Sequence, residues 1–593
     1  MILGLNANGQ PIRLSGELRA QTNMHVIGGS GTGKSKFLET LLRDDLRNGK
    51  GLCLIDWHGT LCDAVLRYCA QVDIGLDGDF RRLVVLNPSR PNWITGFNPF
   101  VGRGQDISTQ VSRRIDATIR PWGVTDTNQT PTLERICRAL FTFMVETGET
   151  LPNVAHLLQS DAGELRRFAA EAVTDRYASA LWQELLAIRT DREWREQALS
   201  TANRLGRFLS SSGVRRFMGL AEGNIDLMQL MDEGGILLVN LGASEFLPTD
   251  GARVFASLLL NEFFEGAMRR ANQCGPGETP KPFVLYLDEF QEYITEDVAA
   301  MLDQVRKGGL HMVLAHQHLG HFADNPRLRK SVLTNARIRA VFGGLDYEDA
   351  CLLANEMFLA DLNTRQIKKA YYHTIHLCRE ETREIRSHST GHGFSQGSGQ
   401  GSGRSKGFGS ATVVGSGVTF QAELPHVEGW FGGDPDQGFV SQSEISSESQ
   451  FGSENSSESW SEMESEFESE GETEVPVWVP IPVKELASET EWSREEKLSK
   501  IAEMLKCQQR RHCFVKLDTS KTQPMKVPFV RDYLFSPEFM QEYEREVYER
   551  QGALPAAEVD RRIEENERRF LEKARGHREL PAAEEFSDEN FLE

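Results

Sequence analysis

The chain has 593 residues, of which 39% are hydrophobic, so it is long enough to form two or three domains with sizeable cores. Its formal net charge is −21, the wrong sign for a protein that coats nucleic acid with uniform positive charge. About half of that charge comes from eleven Glu between Ser441 and Val475, a segment without Lys or Arg. The rest of the chain therefore has room for local positive patches that hold DNA.

Cysteine spacing and hydropathy indicate the cellular compartment. Nine cysteines are scattered along the chain without a Cys-x-x-Cys pair, so the sequence gives no sign of a disulfide framework or a zinc ribbon. No stretch approaches the 18 apolar residues of a membrane span, and the N-terminus lacks the pattern of a signal peptide. We therefore expect a cytoplasmic protein without an intrinsic membrane span.

Short apolar runs alternate with helical patterns from Asn23 to Phe358. The runs are nearly continuous in hydrophobicity rather than alternating, which is typical of parallel strands that helices cover on both faces. The predicted strands are Met24–Ile27, Leu52–Ile55, Leu83–Leu86, Ile236–Leu241, Phe283–Leu287, Met312–Ala315 and Ile338–Phe342. This pattern predicts an α/β fold with a mostly parallel sheet.

Changes of composition predict five regions. The α/β pattern fills residues 1–105 and 226–386, the two parts of one α/β domain, and residues 106–225 have helical patterns only, as an all-helical insertion would. Residues 387–475 are rich first in Gly and Ser and then in Ser and Glu, so they lack the apolar content for a core and are predicted to be disordered. Residues 476–593 are predicted to form an extended and helical region with an acidic tail.

Two basic clusters are candidates for contact with DNA. The helical insertion has seven arginines between Arg189 and Phe217, which form either a solvated helix face or a surface that faces DNA. A second set, Arg327, Arg329 and Lys330, lies near the end of the α/β domain. The sequence does not choose between them.

A phosphate-binding loop follows the first predicted strand of the α/β domain. Its residues are Gly28, Gly29, Ser30, Gly31, Thr32, Gly33, Lys34 and Ser35, and they match the pattern GxxxxGK[ST] at every fixed position. The loop lies between an apolar run and a helical pattern, as the motif requires. Glycines allow backbone N–H groups to approach phosphates, and the helix N-terminus adds its positive dipole. We therefore predict a P-loop NTPase that binds ATP.

The second half of the nucleotide site is predicted at the end of the strand Phe283–Leu287. Asp288 follows this strand directly and is predicted to hold Mg²⁺, together with the hydroxyl of Ser35. Glu289 comes next and is predicted to polarise the attacking water. Two successive carboxylates at this place indicate hydrolysis of ATP rather than binding alone.

Two further residues are candidates for catalysis. Gln317 follows the strand Met312–Ala315, and an amide there is suited to contact the γ-phosphate. Arg306 lies between the Asp288–Glu289 pair and this strand, and it is a candidate arginine finger. The alternatives are an ordinary strand-end turn for Gln317 and a surface arginine for Arg306.

The ordered set of motifs resembles a known family. The P-loop, "GLCLIDWHGTL", "GILLVNL", "FVLYLDEFQEY", "VRKGGLHMVLAHQ" and "LTNARIRAVFGG" are similar to segments of the type IV coupling proteins of bacterial conjugation, within the HerA/FtsK group of translocases. The resemblance implies a RecA-like motor domain with a helical insertion, a homo-hexameric ring and DNA in its pore. It also implies that Lys34, Asp288, Glu289, Arg306 and Gln317 occupy the family's functional positions.

The chain departs from this family in two ways. Coupling proteins usually begin with membrane helices, so this chain resembles a soluble member that a partner recruits to the inner membrane. The family's Asp-Pro-His-Gly-Asp motif reads Asp56-Trp57-His58-Gly59-Thr60 here, without the proline and the second acid.

The sequence leaves three functions open. The first is an ATP-driven DNA translocase of conjugation, with relaxosome or secretion-channel proteins bound through the C-terminal tail. The second is an ATP-switched adaptor that recruits cargo to a secretion machine. The third is a HerA-like DNA-processing helicase. Stimulation of ATP hydrolysis by DNA separates a motor from an adaptor.

Overall fold

The computed structural model describes residues 1–75, 83–101, 106–122, 130–188, 190–275, 278–293, 296–323, 325–393 and 465–576. Its strands are β1 (Ile2–Leu5), β2 (Pro11–Arg13), β3 (Met24–Ile27), β4 (Gly51–Asp56), β5 (Leu83–Leu86), β6 (Trp93–Ile94), β7 (Ile236–Asn240), β8 (Phe283–Leu287), β9 (Leu310–His316), β10 (Ile338–Phe342), β11 (Ile367–Gly393), β12 (Ser465–Glu491), β13 (His512–Leu517), β14 (Gln523–Lys526) and β15 (Leu554–Pro555).

The α-helices of the described residues are α1 (Gly16–Gln21), α2 (Lys34–Arg47), α3 (Thr60–Gly75), α4 (Ile107–Ile119), α5 (Pro131–Thr147), α6 (Leu151–Ala155), α7 (Gly163–Ala172), α8 (Arg176–Leu186), α9 (Asp191–Ser210), α10 (Ser212–Met218), α11 (Leu227–Glu233), α12 (Thr249–Gln273), α13 (Glu296–Gln304), α14 (Pro326–Asn335), α15 (Tyr347–Met357), α16 (Leu359–Asn363), α17 (Arg494–Lys506), α18 (Pro537–Arg550) and α19 (Ala556–Gly576). None of these helices has both the length and the apolar character needed to cross a bilayer.

One large sheet organises the chain. Its strand order is β2-β1-β14-β13-β10-β3-β9-β8-β4-β7-β5, and all neighbours from β10 to β5 are parallel. These seven parallel strands correspond to the seven apolar runs, so the predicted α/β fold is confirmed. Because parallel strands point the same way, their carboxyl ends meet at one edge of the sheet, where ligands of such folds bind.

The helices α4 to α10 lie between β6 and β7, where the sequence placed an insertion. They pack against the long helix α12, and the fully buried Arg114 of α4 contacts Glu262 and Glu265 of α12 at 3.0 and 3.6 Å. A buried cation is tolerated only with such partners. This ion pair joins the insertion to the helix layer that covers the sheet.

The structure groups the C-terminal region differently from the sequence prediction, which ended the motor domain at residue 386 and began a further region at 476. One compact unit contains Met1–Arg365 together with the residues from Trp492 onward, and Gln366–Glu491 form a second. The chain returns to the sheet after residue 492 because β13 pairs with β10, with Cys513 opposite Phe342. Two short strands whose partners lie far earlier in the chain leave little trace in the local sequence pattern.

The second unit contains an antiparallel ribbon of β11 and β12, which pair from Ile367 opposite Glu491 to Gly393 opposite Ser465. The sequence predicted disorder throughout residues 387–475, whereas the structure places 387–393 and 465–475 in these two strands. The ladder uses backbone hydrogen bonds, which Ser and Glu side chains do not prevent. Residues 394–464 lie outside the described residues.

Candidate functional site

The P-loop joins β3 to α2 at the carboxyl edge of the sheet. Gly28 and Gly29 pass so close to the segment after β10 that a Cβ would lie 2.5 Å from the Cβ of Phe342 at the first position and 2.7 Å from the carbonyl oxygen of Gly344 at the second. These two glycines are therefore required by packing against the neighbouring strand as well as by the approach of a phosphate. The loop is held by the Thr32 hydroxyl, which donates to the Gly29 carbonyl at 2.8 Å.

Lys34 opens α2 and is buried against the loop. Its ammonium donates to the carbonyl oxygens of Gly28 and Gly29 at 2.6 and 3.0 Å. Burial lowers the pKa of Lys34, and the nearby carboxylates of Glu289 and Asp288 oppose this shift. The ammonium is thus fixed at the mouth of the loop, where an anionic ligand would stabilise its charge.

Asp288 follows β8 directly and only 4% of it is exposed. Burial raises the pKa of its carboxyl to about 7, with further contributions from the charges of Asp56 and Glu289 that the charge of Lys34 partly offsets. Burial also raises the pKa of Asp56, although this carboxylate accepts backbone hydrogen bonds from His58 at 3.0 Å and Cys62 at 2.8 Å. Three carboxyl groups close together beside one lysine make a site that favours a cation.

The raised pKa of Asp288 predicts how the ligand-free protein responds to pH. A carboxyl whose pKa is higher in the folded than in the unfolded state binds more protons when folded, so its contribution to stability falls as pH rises toward 7. Between pH 6 and 8 this group should lower the free energy of unfolding by about 1 kcal/mol. We expect thermal denaturation to show a smaller loss of stability over that interval in Asp288→Asn than in the wild type. An equal loss in both proteins would contradict the assignment.

Glu289 and Gln317 meet at the carboxyl edge, as their places after β8 and β9 predicted. The Gln317 amide donates to one oxygen of Glu289 at 3.0 Å, and Gln291 donates to the other at 2.6 Å. Glu289 has a φ of 48°, a left-handed conformation that is uncommon outside glycine and that marks functional sites when the surroundings hold it. His58 lies 4.0 Å from the same carboxylate, so the altered Asp-Trp-His-Gly-Thr motif still reaches the site.

Arg306 is the one predicted site residue that the structure places elsewhere. It lies in the turn Val305–Gly308, before β9 begins, and its guanidinium donates to the carbonyl oxygen of Gln21 at 2.8 Å. The seven residues of β9 separate this turn from the carboxyl edge by about 20 Å at the usual rise per residue. Arg306 is exposed and cannot reach the P-loop of its own chain.

A cavity of about 500 Å³ lies over the P-loop, and Lys34, Glu289, Gln317 and His58 line it. The opposite wall consists of residues that the sequence prediction missed, namely Arg510, Arg511, Pro528, Phe529, Val530 and Asp532. They flank the strand pair β13–β14 that the C-terminal region adds to the sheet. The basic run Arg510–His512 directly before an apolar strand was the available sequence signal.

The parallel sheet and the loop at this cavity are those of the P-loop NTPase fold. No family model matches the chain, and no curated protein sequence matches it. Solved structures are similar at low identity. The conjugative coupling protein TrwB, in an unbound form, is 14% identical, with 91% of each chain covered and a TM-score of 0.46.

Two further structures are similar to this chain. TrwB in complex with ADP and Mg²⁺ is 16% identical over 60% of this chain and 78% of its own, with a TM-score of 0.42. VirB4 of Thermoanaerobacter pseudethanolicus is 14% identical over 63% of this chain and 92% of its own, with a TM-score of 0.36.

Proposed function

We propose that the protein is an ATP-hydrolysing motor that translocates DNA through a homo-hexameric ring. The observation that carries the proposal is the cavity at the carboxyl edge of the sheet that Lys34, Glu289 and Gln317 line. The buried Asp288 lies near Lys34, and Gln317 donates to Glu289. A phosphate-binding loop, a carboxylate pair and a polar amide are the parts that hydrolysis of a nucleoside triphosphate needs.

Different residues at the cavity would perform different parts of the hydrolysis reaction. Residues 28–35 would bind the phosphates through backbone N–H groups, and the Lys34 ammonium would leave its two carbonyl partners for the β- and γ-phosphate oxygens. Glu289 would accept a proton from the attacking water. The hydrogen bond from Gln317 fixes the Glu289 carboxylate and places the amide where it can respond to the loss of the γ-phosphate.

The same residues fit a Mg²⁺ ion. Ser35 and Asp288 would hold it, and the ion would neutralise charge on the phosphate oxygens. The fit follows from the donors present, since oxygen ligands from a hydroxyl and carboxylates suit this cation. It also follows from the position of Asp288, which is a buried carboxyl near the charges of Asp56 and Glu289, because a divalent cation would offset both the burial and this repulsion.

We favour the second basic cluster as the DNA contact. In the insertion, Arg192, Arg207 and Arg216 are already paired with Glu196, Asp250 and Asp560 at 3.1, 3.5 and 2.7 Å, and Arg195 donates to the Ser160 hydroxyl at 3.3 Å. Arg204 and Arg215 are half-buried, and Arg189 lies outside the described residues. On α14, the side chains of Arg327, Arg329 and Lys330 are exposed, and none is in an ion pair within the described part of the chain. Unpaired cations bind phosphates without first giving up a partner.

This choice predicts the salt dependence of DNA binding. A triple alanine variant at Arg327, Arg329 and Lys330 should bind DNA more weakly, with a slope of log K against log salt that is reduced by about 2 to 3. Fluorescence anisotropy with labelled DNA at several salt concentrations measures this slope. The control has the same loss of charge and comes from the exposed arginines of α9: Arg192, Arg195 and Arg207. A normal slope in the α14 variant and a reduced slope in the control would assign DNA to the insertion.

The long segment between the ribbon strands is predicted to be dispensable for hydrolysis. Every residue that lines the cavity belongs to the first compact unit, and Gly393 lies opposite Ser465 at the end of the ribbon, so a short Gly-Ser turn can replace residues 394–464. We expect this deletion to retain hydrolysis at the wild-type rate in a phosphate-release assay. A loss of more than half of the activity in a correctly folded deletion variant would contradict the prediction.

An ATP-switched adaptor is the second candidate function. The observation in its favour is the ribbon, where Tyr372 and Leu377 of β11 are 61% and 55% exposed, because exposed apolar side chains are suited to dock a cargo protein. We place the protein in the cytoplasm in either case, with recruitment to the inner membrane by a partner such as a relaxosome or secretion-channel protein.

DNA-stimulated hydrolysis tests the proposed function. Phosphate release by the full chain is measured with and without DNA, and Lys34→Ala provides the background because it removes the phosphate-binding ammonium. A motor requires strong stimulation by DNA that Lys34→Ala abolishes. Hydrolysis that is the same with and without DNA would favour the adaptor, and hydrolysis at the Lys34→Ala level in the wild type would refute both functions.

A further inference from the structure

Phe529 is an exposed aromatic residue at the nucleotide cavity. It lies in the segment between β14 and α18, 78% of it is exposed, and it lines the same cavity as Lys34 and Ser35. A large apolar ring beside a site for a polyphosphate contributes nothing to phosphate binding. Stacking of the ring against the flat face of a nucleobase would explain its position.

The start of the Phe529 segment is fixed to the P-loop. The Val527 N–H donates to the Arg511 carbonyl at 2.8 Å, and the Arg511 guanidinium donates to the Val527 carbonyl at 2.8 Å. The Arg511 N–H in turn donates to the carbonyl oxygen of Thr32, within the P-loop, at 2.8 Å. The aromatic ring is therefore positioned relative to the phosphates by a short chain of hydrogen bonds.

The end of the segment is fixed to α2. The Lys36 ammonium pairs with Asp532 at 2.6 Å, and the Arg43 guanidinium donates to the carbonyl oxygen of Arg531 at 2.9 Å. Arg43 also lies over the Tyr533 ring, 5.1 Å from its centre. The segment is thus tied to the P-loop at its start and to α2, the helix that begins with Lys34, at its end, and Phe529 is held between them.

We propose that Phe529 is the surface on which the base of a purine nucleotide stacks, which rests on the ATP binding proposed above. In a P-loop the backbone around Gly33 and Lys34 surrounds the β-phosphate, so the rest of the nucleotide leaves past the first turn of α2, where Lys36 and Asp532 meet. The base then reaches Phe529. The Arg511 guanidinium lies 5.6 Å from the centre of the Phe529 ring and adds a cation beside the stacked base.

A single phenyl ring distinguishes nucleobases by the area of the base that covers it, because the ring forms no hydrogen bonds with the base. A purine covers more of the ring than a pyrimidine does, so the site should bind ADP more tightly than CDP, and removal of the ring should reduce this difference. Inorganic pyrophosphate has the phosphates without the base, and its affinity should not depend on Phe529. This contrast separates a base contact from a general change of the cavity.

The test is titration calorimetry of the full chain with ADP and with pyrophosphate, each in Mg²⁺. We expect Phe529→Ala to weaken ADP binding about tenfold, in line with the loss of one base stack, and to leave pyrophosphate binding unchanged. Phe529→Trp should retain ADP binding. The control is Leu534→Ala, because Leu534 is 91% exposed on the same segment but does not line the cavity, and it should change neither ligand.

The outcomes distinguish this inference from the proposed function. If Phe529→Ala binds ADP with wild-type affinity, the stacking role is overturned and the proposed ATP binding still stands. The exposed ring would then be assigned to a contact with a second protein chain. Equal weakening of ADP and pyrophosphate would overturn it too, since the substitution would then have disturbed the P-loop. Failure of the wild type to bind either ligand would overturn both the inference and the proposed function.

Discussion

Replacing Arg306 with alanine is expected to leave nucleotide binding nearly intact and to lower hydrolysis by roughly 10³-fold or more, the effect of losing an arginine finger. The reason is geometric. Arg306 is exposed and contacts Gln21 at the edge of the sheet opposite the P-loop, so it can complete only the site of a neighbouring chain. In the proposed head-to-tail ring, each interface joins two different surfaces of neighbouring chains. The guanidinium would then lie at the neighbour's P-loop and neutralise charge on the phosphoryl oxygens there.

Mixing two inactive proteins shows whether Arg306 acts between chains. Arg306→Ala retains Glu289, and Glu289→Gln retains Arg306, so mixed interfaces can contain one intact site and should recover part of the activity. Lys307→Ala is the matched control, because Lys307 is the exposed neighbouring cation and should matter far less. A mixture that co-assembles without any recovery would contradict action between chains, as would full activity of a monomer.

Replacing Glu289 with glutamine is expected to preserve ATP binding and to lower hydrolysis by about 10²- to 10⁴-fold, the usual contribution of a general base. The substitution removes the basic oxygen while it keeps the shape of the side chain. It also places an amide against the amides of Gln317 and Gln291, which now donate to the carboxylate at 3.0 and 2.6 Å. Phosphate release and binding of a fluorescent ATP analogue measure the two effects separately.

Glu292→Gln is the control for this substitution. Glu292 follows three residues later in the same turn, pairs with Arg253 at 2.8 Å and does not line the cavity. It should hydrolyse ATP at close to the wild-type rate. If Glu289→Gln hydrolyses as fast as Glu292→Gln does, another group must activate the water.

The parallel part of the sheet was predictable because its strands are buried on both faces. Six of the seven parallel strands, β3, β4, β7, β8, β9 and β10, are mostly apolar runs of four to seven residues in which every position is buried. No solvent-facing side chain interrupts this signal. The order of the runs then located Asp288, Glu289 and Gln317, because the residue after a parallel strand lies at the carboxyl edge. This part of the site could therefore be predicted from the local sequence.

The other wall of the cavity was not predictable in the same way. Arg511 and Phe529 reach the P-loop only because β13 pairs with β10, and that pairing depends on contacts between distant parts of the chain. The run before β13 looks like any basic turn, and an exposed phenylalanine in a loop has no pattern of its own. The proposed role of Arg306 in a neighbouring site would depend on contacts between chains, which the fold of a single chain does not contain.

Electron cryomicroscopy of the full chain with DNA and a non-hydrolysable ATP analogue tests the central claim most directly. We expect a closed hexameric ring with DNA in its pore, and with Arg306 of each chain at the γ-phosphate bound by Lys34 of its neighbour. Particles that bind the analogue but remain monomeric, or rings in which DNA lies outside the pore and Arg306 faces solvent, would contradict it.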